Sequence, residues 1–572
     1  MALKKASILL VPLLLVALLL STVGGCRQST EEALSAWKGG VRVQTLYGKI
    51  EGKKSGDGSV FWKGIPYAKA PVGELRWKAP RDPDPWKETL KAYGFGSECT
   101  QCDYLGGMKG SEDCLYLNIW RPESEEDGLP VYFWIHGGGN SMGSASDQGY
   151  DGADLAIDCN MIVVSVNYRL GPLGWFTYPA LRSSEPGAEL DNSGNYGTLD
   201  LIKALEWVKD NIAAFGGDPD RVTVAGESAG AINILSLLIS PLASGLFHGA
   251  IAQSGMPVAL PVETGEQSAR GIILKMLVTD GRAADKSAAE AYLDQMSDSE
   301  INAYLRSKTA TQLLSAYEGT VFGMISFPFI FEDGTVIPEG GFDSLENGEY
   351  PNKVPVIIGS NKEETKIFLF MASLLSDNPF KNRDDLYEKV ASVTSDLWKL
   401  RGVDDIARKL TSSAGQPPVY AYQFLWGAAD ASGTSVLPGE YGFKLGACHG
   451  IDVPFFFGNW EFFNVLSGAV FTAENRVGRE ALSEEMQAYV ARFVRTGDPS
   501  PDGSGLADWQ SWSNDLGGPK CILLNADLNT ASARMSTVEL TEAEVMARVD
   551  AEVRQVIDSF VGLLPFLVGE QI

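Results

Sequence analysis

The sequence predicts an α/β protein with a large, mostly parallel central sheet, a small N-terminal antiparallel sheet and helical insertions around a pocket. Three observations predict it. Short apolar runs recur at lengths suited to buried strands. Apolar residues at helical spacing lie between some of them. The run Val222-Thr223-Val224-Ala225 ends in Gly226-Glu227-Ser228-Ala229-Gly230, a strand, sharp turn and helix start in immediate succession.

The elements follow in chain order. Val41-Arg42-Val43 and the glycine-rich pieces after it suggest small antiparallel strands. Residues 115–120, 131–135 and 162–167 are apolar enough for central strands. Over 195–215, Leu199, Ile202, Leu205, Val208 and Ile212 mark a helix, and Pro219 breaks the chain before the strand that reaches Ser228. Residues 250–252 and 354–359 add strands. The chain turns helical and charged over about 260–345 and again over 382–413, which reads as insertions beside the sheet. Helices are expected over 471–496 and 541–561; Glu542 and Glu544 favour the start of the last one.

The chain has 572 residues, 45% of them hydrophobic, enough for a large folded core. The formal net charge of −26 repels nucleic acid and anionic lipid, so neither is an expected partner. Lys4 and Lys5 precede an apolar stretch over 8–20, then Val23-Gly24-Gly25-Cys26. That stretch is short for a membrane span and suits an export signal over 1–25. Its ending is similar to a bacterial lipoprotein signal, cleaved before a lipidated Cys26. The expectation is an exported protein anchored at the periplasm or cell surface through that lipid, otherwise secreted. Residues 26–38 read as a tether and 39–565 as one catalytic domain. Export permits a disulfide among Cys99, Cys102 and Cys114. Cys114 has either of the others as partner, with Cys99 preferred. No histidine lies near enough for a metal site there.

Two segments carry the chemistry. The turn at Ser228 lifts a hydroxyl above the sheet end, where it can attack a carbonyl. Upstream, His136-Gly137-Gly138-Gly139 follows a strand, and the amides of Gly138, Gly139 and Ala229 are expected to face the developing oxyanion. A serine nucleophile needs a base near neutrality, which is histidine. The chain has three: His136, His248 and His449. His449, in the loop Gly446-Ala447-Cys448-His449-Gly450, is the expected base. His136 belongs to the glycine loop and braces it; His248 falls at the opposite sheet end. The orienting acid is expected between Ser228 and His449 at a strand end, which the turn Ser360-Asn361-Lys362-Glu363-Glu364 fits. The residues alone do not choose Glu363 or Glu364. Glu227, beside the nucleophile, is expected at the pocket base, ordering water or the histidine. Phe322, Phe327 and Phe329 are candidate walls of an acyl pocket. Cys448 reads as a small buried side chain.

These residues resemble the type B carboxylesterase and lipase family, which includes the cholinesterases, within the α/β-hydrolases. The resemblance rests on Phe215-Gly216-Gly217-Asp218-Pro219 with Gly226 to Gly230, on Glu112-Asp113-Cys114-Leu115-Tyr116-Leu117-Asn118, and on Gly64-Ile65-Pro66-Tyr67-Ala68 with Arg76-Trp77. It covers roughly residues 39–530. It implies an α/β-hydrolase fold, Ser228 as nucleophile, His449 as base and Glu364 as acid, with Ser254 hydrogen-bonding beside that acid. It implies no cofactor. Cholinesterases carry a tryptophan between the first disulfide's cysteines; this chain has Tyr104 there and no tryptophan, which disfavours a dedicated choline esterase. Cys102 is extra and leaves the pairing open. The expected reaction is hydrolysis of a small-molecule or envelope-associated ester through an acyl-enzyme. The alternatives are an amidase or peptidase, and a non-catalytic binding or adhesion relative.

Overall fold

The computed structural model describes residues 37–559 except 104–105, 375–377, 464–465, 501–502 and 504. The expected export signal, Cys26, nearly all of the tether and Tyr104 lie outside the described residues. Among the described residues the main sheet has eleven strands: β1 (Lys53–Lys54), β2 (Ser59–Pro66), β3 (Tyr116–Pro122), β4 (Leu129–Ile135), β5 (Ile162–Val166), β6 (Gly217–Glu227), β7 (Gly249–Gln253), β8 (Val356–Asn361), β9 (Val419–Phe424), β10 (Cys521–Ala526) and β11 (Ala531–Met535). Their order is β11-β10-β9-β8-β7-β6-β4-β5-β3-β2-β1. The run from β5 through β4 and β6 to β10 is parallel; the pairings at both edges are antiparallel. A small sheet of Arg42–Thr45, Gly48–Glu51 and Leu90–Lys91 stands apart at the N-terminal side. Its first pair is antiparallel, as expected, and its second is parallel.

Alternation along the central strands explains why both faces are covered. Val131, Phe133 and Ile135 of β4 point into one core, and Tyr132 and Trp134 into another. Ala250 and Ala252 of β7 join the first, Ile251 the second. A sheet buried on both sides carries near-continuous apolar strands, which is why these runs were legible. Helix α1 (Tyr196–Asn211) and helix α2 (Ala229–Ile239) flank β6 in sequence; α2 is buried along its whole length. The insertion after β7 holds helices Val262–Thr279, Lys286–Leu293, Asp298–Arg306 and Ala310–Leu314. The second holds Asp384–Lys399 and Asp405–Ser412, joined by a π-helical turn.

Two local expectations are corrected. The helix expected over 541–561 is broken into Glu542–Met546 and Ala551–Ser559. Asp550 breaks it: its carboxylate accepts from the Val553 amide and starts the second helix anew. Strands β9 to β11 were absent from the sequence reading.

A disulfide joins Cys99 to Cys114, and Cys102 is a free, buried thiol with its sulfur 3.7 Å from the Met108 sulfur. The cross-link closes a loop of 15 residues. Cys114→Ser is expected to cost about 3 kcal/mol, read as a lower urea midpoint. Cys102→Ser breaks no covalent bond and should cost far less; equal losses would contradict the pairing.

Candidate active site

The site forms where the parallel strands end. Ser228 occupies the single-residue turn between β6 and α2, at φ 56° and ψ −121°, a conformation uncommon for a side-chain-bearing residue. Its amide donates to the Gln253 carbonyl of β7 at 2.9 Å, and its carbonyl accepts from Ile232 one turn into α2. The two flanking glycines are needed for close approach. A Cβ on Gly226 or Gly230 would come within 2.6 or 2.0 Å of the Ile135 carbonyl oxygen at the end of β4. The turn is therefore pressed onto the strand that leads into His136 and the glycine loop.

That loop bends back on itself: the Ser141 and Met142 amides both donate to the Gly138 carbonyl. Gly138 and Gly139 have φ of 104° and 60°, which glycine adopts without penalty. His136 is buried; its ring stacks on Tyr168 at 4.5 Å, and the Tyr168 hydroxyl donates to the His136 carbonyl. Burial pushes its pKa down to about 4, so the ring stays neutral in place under the loop. His248 lies just before β7, at the end of the strand opposite to Ser254, and accepts from the Val222 amide.

Glu364, and not Glu363, meets the histidine. Its Oε2 lies 2.6 Å from His449 Nδ1, and its Oε1 accepts from Ser254 Oγ at 2.5 Å and from the Asn361 amide at 2.7 Å. The His449 amide also donates to the Glu364 carbonyl. Glu363 serves the loop instead: its Oε2 accepts from the Ala447 amide and its Oε1 from Lys366. Cys448, between Ala447 and His449 in sequence, is fully buried. The imidazole packs at 4.7 Å from the Trp398 ring and 5.3 Å from Phe368, which shields the Glu364 contact from water.

With Nδ1 committed, Nε2 faces the cavity that Ser228 and His449 both line. It lies 3.0 Å from Glu227 Oε1, without the alignment of a hydrogen bond, and neither atom has a hydrogen-bond partner among the described residues. Burial opposes protonation of His449, but the carboxylates of Glu227 and Glu364 outweigh it and raise its pKa to about 9. Burial raises Glu227 to about 7, against the pull of His449. A third acid, Asp452, receives the Tyr422 hydroxyl and the Asn361 amide group, and burial lifts it to about 6.

Two cavities meet at the serine. The larger, about 140 Å³, holds Ser228, His449, Glu227, Gly138 and Gly139, with Phe322, Phe462 and Phe463. The smaller, about 60 Å³, holds Ser228, Gly139, Ala229 and Ser254, with Ile232, Met256, Phe327 and Phe329. Both touch Met324 and Phe368. The three phenylalanines expected as one wall are thus divided: Phe327 and Phe329 face the smaller cavity, Phe322 the larger. Sequence reasoning missed Phe368, Trp398, Asp452 and Phe463, which carry no local signature.

A serine at a strand-to-helix turn, a histidine held by a buried carboxylate and a glycine loop beside them, on a mostly parallel sheet, define a serine hydrolase of the α/β-hydrolase fold. Comparison with known proteins agrees. The Carboxylesterase family model matches residues 40–385 and 371–530, and the chain belongs to that family. Para-nitrobenzyl esterase of Bacillus subtilis is 32% identical over 497 residues, covering 83% of this chain and 93% of the relative. Fumonisin B1 esterase of Sphingopyxis macrogoltabida is 40% identical over 330 residues, covering 57% of this chain and 56% of the relative. Among solved structures, carboxylesterase EST55 of Geobacillus stearothermophilus superposes with a TM-score of 0.66 at 30% identity, covering 89% of this chain and all of that one. The protein is an esterase of the carboxylesterase type, acting on small-molecule esters.

The charges around Nε2 give a signed prediction. The Glu227 carboxylate raises the proton affinity of His449, so Glu227→Gln should lower the His449 pKa by about 1–3 units. Nitrogen-15 histidine NMR reads this directly, since the chain has three histidines. The acidic limb of ester turnover should move to lower pH with it. A shift upward in either would contradict the assigned interaction.

Proposed function

We propose that Ser228, His449 and Glu364 carry out carboxylic-ester hydrolysis through an acyl-enzyme, within one catalytic domain over 39–565. One observation carries this reading. A fully buried Glu364 carboxylate grips His449 Nδ1 at 2.6 Å, while the other face of the ring opens on the cavity that contains Ser228. Glu364 fixes the tautomer that leaves Nε2 free to accept a proton, and it steadies the imidazolium that results. His449 takes the proton from Ser228 as its oxygen attacks the ester carbonyl. The amides of Gly138, Gly139 and Ala229 receive the developing oxyanion. His449 then gives its proton to the departing alcohol, leaving an acyl group on Ser228. Water, deprotonated by the same ring, releases the acid. Ser254 holds Glu364 from behind and Glu227 sets the proton affinity of His449.

The direction of the substrate follows from the proton. The leaving alcohol must lie beside His449, which lines the larger cavity and is absent from the smaller. The alcohol group therefore occupies the larger cavity and the acyl group the smaller, between Ile232, Met256, Phe327 and Phe329. The names of the para-nitrobenzyl and fumonisin B1 relatives support a small organic ester as substrate.

The same proposal includes export and a lipid anchor at Cys26. The charged start, the apolar stretch and Val23-Gly24-Gly25-Cys26 support it, and the Cys99–Cys114 disulfide fits an oxidising compartment. Such an anchor would bring the enzyme to esters met at the cell envelope. Cys26→Ser in the full-length chain should move activity from the membrane fraction to the soluble one; an unchanged distribution would reject the anchor.

Ser228→Ala should reduce turnover of a short-chain ester by at least about 10⁴-fold with the fold retained. Glu364→Gln should lose about 10³–10⁴-fold, by releasing the wrong tautomer. Glu363→Gln should lose much less. Near-normal rates for the first, or the larger loss in the last, would overturn the assignment.

A further inference from the structure

The rings of Phe322 and Phe463 stack across the larger cavity, with centroids 5.3 Å apart and planes at 14°. They come from separate parts of the chain. Phe322 is the tip of a turn in the first helical insertion, closed below by the Thr320 amide donating to the Met324 carbonyl at 2.7 Å. Phe463 lies between helices Val453–Phe457 and Ser467–Val470, where the Phe462 amide donates to Ser467 Oγ. The stack joins two loops whose bases are fixed.

Both residues hold positive φ, 61° at Phe322 and 43° at Phe463. Bulky side chains rarely adopt this backbone conformation, and it persists where surrounding contacts over-determine it. The contacts here are aromatic. Phe322 meets Phe368 edge-on at 6.2 Å, and Phe368 abuts His449. Phe463 meets Phe462 edge-on at 4.7 Å. On the other side Phe463 reaches the histidine loop: a Cβ on Gly450 would lie 3.9 Å from its ring and 3.5 Å from Glu227 Oε1. The stacked pair therefore stands over the space beside Nε2, where the departing alcohol lies.

We propose that the Phe322–Phe463 stack is the element that sets the size of the alcohol this esterase accepts. Closed, it leaves room for a short or slender alcohol. A bulky alcohol enters by parting the rings. Parting costs the stacking contact and releases the left-handed strain, two effects that oppose each other, so the closed form is favoured by a small margin. This inference rests on the proposed ester chemistry at Ser228 and on the placement of the alcohol in the larger cavity.

Butyrate esters of methanol, cyclohexanol and diphenylmethanol test it, beside methyl esters of acids of increasing size. Phe322→Ala and Phe463→Ala should each raise the diphenylmethyl-to-methyl ratio of kcat/KM by about 2- to 10-fold, the range one aromatic pair is worth. The double variant should gain less than the product of the singles, because they share one contact. The acyl series should stay level. Phe322→Gly, which suits the positive φ, serves if Phe322→Ala fails to fold. An unmoved alcohol ratio overturns the proposal, as does a change confined to the acyl series. Methyl butyrate turnover by the wild-type enzyme separates the two readings. If no ester is hydrolysed, the ester chemistry fails; if methyl butyrate is hydrolysed and the ratio is flat, the size selection alone fails.

Discussion

The site depends on one buried carboxylate having all its needs met by protein. Glu364 is removed from water, and its two oxygens receive Ser254 Oγ, the Asn361 amide and His449 Nδ1. A buried carboxylate without such partners would carry a penalty of several kcal/mol. Those donors come from the end of β7, the end of β8 and the histidine loop. Satisfying one charge therefore locks three segments of chain together where the parallel strands end. Trp398 adds a fourth, by donating to the Ser254 carbonyl at 3.1 Å and packing on the imidazole.

Glu227 acts on the same ring from the opposite side. It lies next to Ser228 because it ends β6, and its carboxylate sits between the glycine loop after β4 and the histidine loop. Three acids, Glu364, Glu227 and Asp452, surround one imidazole. Burial alone would drive a histidine neutral, as it does to His136. At His449 the carboxylates reverse that outcome. The two buried histidines differ in proton affinity because one has acids around it and the other a tyrosine face and backbone. In the proposed reaction Glu227 stabilises the imidazolium that follows proton transfer, and raises the pH at which the resting ring gives up its proton. Burial raises Glu227 as well, which limits how much negative charge it brings.

Much of this was legible in the sequence, for definable reasons. The central strands were visible because both faces are buried, leaving apolar runs such as residues 131–135. The serine turn was visible because its glycines answer a close approach to the Ile135 carbonyl that no other residue can make. The far side of the sheet was not: β11 alternates half-buried and exposed residues and lacks that continuous pattern, while β9 and β10 were missed although they are largely buried. At the site, neither charge nor spacing separated Glu363 from Glu364, since both sit in one turn. The difference is direction alone, one carboxylate turned inward to His449 and the other to the Ala447 amide. Phe463 and Trp398 were invisible because nothing local marks a residue that acts across the fold.

The division of the pocket follows from the order of events around one oxygen. In the proposed reaction the amides of Gly138, Gly139 and Ala229 fix where the carbonyl points, and the serine fixes the carbon. His449 must serve first the attacking hydroxyl and then the departing alcohol, so both lie on its side of the carbon. The acyl chain is left with the remaining direction, between α2 and the first insertion. That direction holds the smaller, more apolar cavity; the histidine side holds the larger one, walled by two loops. The two cavities join at Met324 and Phe368, which line both. A step of five residues along one segment, from Phe322 through Met324 to Phe327, crosses from the larger cavity to the smaller, with Met324 packed where a Cβ on Gly139 would stand 2.8 Å from its sulfur. On the proposed orientation, one short stretch of chain therefore borders both sides of the ester bond, against a frame that the sheet holds fixed.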